Sequence, residues 1–165
     1  MIWGMPASIF TFVHVVLSLV GIGSGLVVMY GLLTGKRLDG WTMLFLTSTL
    51  ATSVTGFGFP FDHLLPSHMV GMISILVLAI ATVARYTEHL MGVWRLVYVV
   101  SAAVALYLNV FVGIIQAFLK VPALNAIAPT QSELPFVLAQ LLCLAVFGFM
   151  AIAAASRFNE PLRPA

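Results

Sequence analysis

Apolar runs too long to be the core of a small globule recur five times along this chain: Ser8 to Leu33, Trp41 to Phe59, Ser67 to Tyr86, Trp94 to Leu119 and Leu134 to Ser156. A helix needs about 20 mostly apolar residues to cross a hydrocarbon layer of about 30 Å, and each run is near that length. In a chain of 165 residues, 62% hydrophobic and 7% charged, there are too few polar groups to cover a water-soluble fold of this size. The expectation is therefore all-α: an integral membrane bundle of five transmembrane helices, forming one domain over residues 1–165. Most of its solvent is the lipid bilayer.

The few charges indicate direction. Short loops rich in Lys and Arg stay on the cytoplasmic side. With five spans, Lys36, Arg37, Arg85, Arg95, Arg157 and Arg163 fall on one face and Lys120 alone on the other. The N-terminus is accordingly expected outside and the C-terminus in the cytoplasm, in a bacterial-type inner membrane. Trp3, Trp41 and Trp94 stand near expected boundaries, where indole rings favour the interface. The first run has no preceding Lys or Arg and exceeds a signal-peptide core, so it reads as a permanent span.

The same scattering of basic residues argues against a nucleic-acid partner, which needs a clustered basic patch. A single cysteine, Cys143, excludes an intramolecular disulfide and a cysteine metal cage. P-loop, GxSxG, HExxH and dinucleotide fingerprints are absent from the sequence. Asp39, Asp62, Glu88, Glu133 and Glu160 all lie at loops or run ends, which disfavours ion pumping by buried carboxylates. Any chemistry must sit within the bundle or at its two faces.

Polar groups inside an apolar span are costly and face protein, a cavity or a cofactor. His14, Ser18, Gly21 and Gly25 follow one another at intervals of four, three and four, forming one stripe on the first helix. One reading of the small residues is close helix packing of the GxxxG type. The other is a trough beneath an imidazole that admits a flat group. His68 is followed by Gly71 at i+3, again placing a histidine over a small residue. Both histidines belong to the outer half of the expected bundle. Imidazole is an axial ligand for haem iron, and cofactor sites in bundles are built from facing helices. The sequence thus nominates His14 and His68 as ligands of a b-type haem.

Asn109, Gly113, Gln116 and Lys120 form a comparable stripe on the fourth span, and Gln140 reaches a similar depth on the fifth. With Ser18, Gly21 and Gly71 these residues complete an expected outer pocket for haem propionates, a quinone head-group or water. Asn and Gln that merely bond a neighbouring helix are the simpler alternative. A competing site would use His63, His68 and Asp62 or Glu133 for a non-haem metal, although His63 and His68 lack the i, i+4 spacing of a helical ligand pair. Seven Ser and Thr side chains on the second run suggest a buried central helix, and the following Gly-Phe-Gly-Phe-Pro-Phe segment an aromatic anchor at the interface.

The expected function is a small redox protein passing electrons between quinol and an outer-face partner. The alternatives are an accessory subunit joined to a membrane-protein partner or homo-oligomer through the Gly21 and Gly25 face, and a small-molecule transporter.

Overall fold

A computed structural model describes residues 1–60 and 66–158; within these bounds every regular element is helical. The helices are α1 (Ala7–Leu33), α2 (Asp39–Gly56), α3 (Pro66–Thr82), α4 (Trp94–Lys120), the short α5 (Pro122–Ile127) and α6 (Leu134–Arg157), with a π-helical turn at Val83–Thr87 extending α3. Four segments are long and apolar enough to cross a membrane: Ala7–Leu33, Ser67–Thr87, Trp94–Lys120 and Leu134–Arg157.

The second run behaves differently from the other four. Its helix begins at Asp39 and ends at Gly56, with 18 residues in all, and its hydroxyls dilute the hydropathy. Those hydroxyls mostly turn onto their own backbone. Thr47 donates to Met43 O, Ser48 to Leu44 O, Thr52 to Ser48 O and Ser53 to Thr49 O, at 2.6–3.0 Å. Such i−4 bonding satisfies a hydroxyl without a neighbour helix, so Ser and Thr content does not identify the most buried element. That element is α4. Its Ser101, Ala102, Ala103 and Ala105 are buried and let neighbouring backbones come close.

Helices α1 to α4 close a ring: α1 and α3 each pack on both α2 and α4, and α1 and α3 make no comparable contact with each other. Helix α6 lies outside the ring against α4 and α1, turning Leu138, Leu142, Phe149 and Ile152 outward. Since lipid is as apolar as these side chains, that exposure carries no penalty in a bilayer.

Two local devices set the ring's connections. Gly35, at φ 69°, ends α1 in a Schellman turn, with Lys36 N–H donating to Gly31 O at 2.8 Å and Gly35 N–H to Leu32 O at 3.3 Å. In the segment between α5 and α6, Glu133 is the residue preceding α6, and Pro135 occupies its first turn. The Glu133 carboxylate instead folds back onto the loop, accepting from Thr130 N–H, Thr130 Oγ1 and Ser132 N–H at 2.9–3.1 Å.

The Gly21 and Gly25 face is used within the chain, which removes it as a surface for a partner subunit. A Cβ at Gly25 would stand 2.6 Å from Leu106 Cδ1 and 2.8 Å from the Phe45 ring, whereas one at Gly23 meets nothing within 4 Å. Gly25→Ala should therefore cost about 1–3 kcal/mol through overpacking. Gly23→Ala should leave stability within about 0.5 kcal/mol of the parent. Apparent melting temperatures of the two variants in one detergent check the contrast.

Candidate functional site

The packing of the ring differs between its two ends. At the end bearing Lys36, Arg37, Arg85, Arg95 and Arg157, the core is filled by Val28, Met29, Leu32, Phe45, Tyr98, Val99, Ala102 and Leu106. Arg85 is buried there. It pairs with Asp39, and its guanidinium lies 5.2 Å from the Tyr98 ring centroid. Tyr98 in turn shares a 3.3 Å hydrogen bond with Thr42 Oγ1. Arg85 is thus more than a marker of orientation. It ties the π-helical turn to α2 and α4, a role that a count of boundary charges cannot reveal.

At the opposite end the four helices part around a cavity of about 430 Å³. His14, Ser18, His68, Gly71, Asn109 and Gln116 line it, as does Lys120. Its lining comes from all four ring helices, and the two histidines stand on α1 and α3, the pair that faces across the ring. This volume lies in the range of sites that enclose a cofactor or small ligand.

His14 is held by α2. Its Nδ1 is 2.8 Å from Thr55 Oγ1, and that hydroxyl donates its own hydrogen to Ala51 O at 2.7 Å. Thr55 is consequently the acceptor and His14 Nδ1–H the donor, an assignment made from the hydrogen-bond network. The neutral ring then carries its lone pair on Nε2. A metal-bound imidazole commonly has this arrangement, with the second nitrogen fixed by a donor bond that orients the ring. Phe59 meets His14 edge to face, at 5.2 Å between centroids. His68 is 5% exposed and lies 5.5 Å from the Phe57 ring. Gly71 permits this placement, since a Cβ there would press to 3.2 Å on Phe57.

One helical turn deeper than His14, about 5.4 Å along the axis, the cavity has a polar floor. Ser18 Oγ donates to Asn109 Oδ1 at 2.9 Å, joining α1 to α4. Thr49 comes in from α2 above Gly21, where a Cβ would stand 2.8 Å from Thr49 Oγ1 and 2.9 Å from Asn109 Nδ2. Gly21 thus lies beneath the floor, and its missing side chain admits both groups. Thr49 is 1% exposed and its Oγ1 has no hydrogen-bond partner among the described residues. Higher up, the Ser53 and Ser74 hydroxyls are hydrogen-bonded at 3.0 Å across the α2–α3 wall.

Gln140 is not part of the site. It projects from α6, outside the ring, and its Nε2 donates to Phe111 O at 3.3 Å. Its direction around the bundle carries no signature in the sequence. Asp62 and His63, the alternative metal ligands, lie outside the described residues. Among the described residues no group of three or more His, Cys, Asp or Glu stands together. The cavity residues not singled out beforehand are chiefly Thr49, Ser53 and Ser74. The spacing of Thr49, Ser53 and Gly56 along α2 was the available signal, masked by hydroxyls on the other faces of the same helix.

Because Thr49 Oγ1 has no partner to lose, Thr49→Val should keep thermal stability within about 0.5 kcal/mol of the parent. Asn109→Leu removes the Ser18 bond and crowds Gly21, and should cost roughly 1–3 kcal/mol. Melting curves of both variants in detergent test this. A loss above about 1 kcal/mol for Thr49→Val would show that the hydroxyl is bonded after all.

Comparison of the chain with protein-family models, with curated proteins and with solved structures finds no match in any of the three.

Proposed function

We propose that the chain is a membrane redox protein and that His14 and His68 would hold a b-type haem in this cavity. The observation that carries the reading is the pair of imidazoles on opposing helices of one ring, lining one cavity, with His14 Nδ1 tied to Thr55, which leaves the ring's lone pair on Nε2. Bound iron would supply one-electron chemistry. The protein's own part is to orient His14 through Thr55, to keep water low with Phe57 and Phe59, and to offer the Asn109 and Gln116 amides. Electrons would pass between quinol in the bilayer and a partner at the outer face.

In the proposed topology α2 is the fifth span. Eighteen residues of helix rise about 27 Å, close to the hydrocarbon thickness. Five spans put the N-terminus outside and gather Lys36, Arg37, Arg85, Arg95 and Arg157 at the cytoplasmic face of a bacterial-type inner membrane, in keeping with the positive-inside rule. The cavity then belongs to the outer leaflet.

Protein purified in mild detergent from haem-replete cells should show a Soret band with the low-spin spectrum of two imidazole ligands. His14→Ala and His68→Ala should each abolish that spectrum. A preparation without a Soret band, or variants that keep full haem content, would overturn the reading. Reporter fusions at Lys36 and at the C-terminus should both report cytoplasm, and an external Lys36 loop would refute the topology.

A further inference from the structure

We infer that the open end of the cavity recognises a carboxylate, through Lys120 and Gln116 of α4, and that the natural occupant is an amphiphile presenting an acid there. This rests on the cavity being a ligand site, but not on that ligand being haem.

Four observations converge on it. Asn109, Gly113, Gln116 and Lys120 share one face of α4 and all line the cavity, so the stripe runs from the polar floor to the mouth over about 16 Å. Lys120 is the only Lys or Arg at this end among the described residues, the others lying at the packed end. It has no carboxylate partner: the ion pairs of the described residues join Asp39 to Arg37 and Arg85. Glu133, the acid of the following loop, is engaged by Thr130 and Ser132 through both of its oxygens. A cation in the last turn of α4 complements the helix dipole. That role accounts for a charge at this position, but not for its facing the same apolar-walled cavity as Gln116.

The chemistry needed is an acid head over a broad apolar body. An ammonium at the rim of a low-dielectric cavity attracts an anion more strongly than one in open water does. The Gln116 amide supplies a second donor without adding charge. Below the rim, Val15, Leu19, Ile22 and Val112 offer apolar walls. Haem propionates and the carboxylate of a free fatty acid present the same head, and binding experiments separate the two sources.

Purified protein in nanodiscs would be titrated with haem, iron protoporphyrin IX dimethyl ester, oleate and oleyl alcohol, alongside Lys120→Met and Lys120→Arg. The wild type should prefer an acid to its neutral analogue by roughly fivefold, the scale of one partly screened ion pair. Lys120→Met should erase that preference without weakening the neutral analogue, and Lys120→Arg should retain it. Acid preference with haem names propionates as the source. Lys120-dependent oleate binding without a Soret band supports the inference while removing the haem reading. Equal affinity for haem and its ester, unchanged in Lys120→Met, overturns the inference and leaves the haem reading standing. Failure of all four ligands to bind overturns both.

Discussion

Every polar group carried into a lipid-facing bundle must find its partner within the same chain or within a cavity that the chain encloses, because hydrocarbon offers none. This constraint organises the whole molecule. Helix α2 meets it locally, by folding its hydroxyls onto preceding carbonyls. Helices α1 and α4 meet it between themselves, through Ser18 and Asn109. Arg85 meets it with Asp39 and the face of Tyr98. Two kinds of group are left over: Thr49 Oγ1 in the cavity and Gln140 Oε1 on the outer helix are buried without a hydrogen-bond partner among the described residues, and Lys120 lines the cavity without a carboxylate partner among them.

The two ends of the ring solve opposite problems. At the cation-rich end, small residues on α4 and glycines on α1 let helices approach until the core is filled, and Gly25 and Gly31 would admit no side chain without displacement. At the other end, Gly71 leaves the place that the Phe57 ring needs, and Gly58 the place of the Phe10 ring, while a Cβ at Gly56 would only touch His14 at 3.8 Å. Glycine thus admits aromatic rings at the cavity end and brings helices together at the packed end.

This division explains what could be read from the sequence. Apolar run length locates α1, α3, α4 and α6 to within a few residues, and helical periodicity places His14 with Ser18, and Asn109 with Gln116, on shared faces. Periodicity identifies a face, but not the helix it meets. Gln140 lies outside the cavity, and nothing local reveals that α6 sits outside the ring. The richness of α2 in hydroxyls suggests centrality only until their acceptors are known. Arg85 counts as a boundary charge until the π-helical turn carries it inward. The short helix Pro122–Ile127 lies in a segment that hydropathy reads as loop.

The polar column stops at Asn109 and Thr49, and tightly packed side chains fill the remaining depth. The protein is a cup and not a pipe. A ligand that enters beside His14 meets a filled core below Asn109 and Thr49, so no continuous passage leads through the described residues to the cation-rich end.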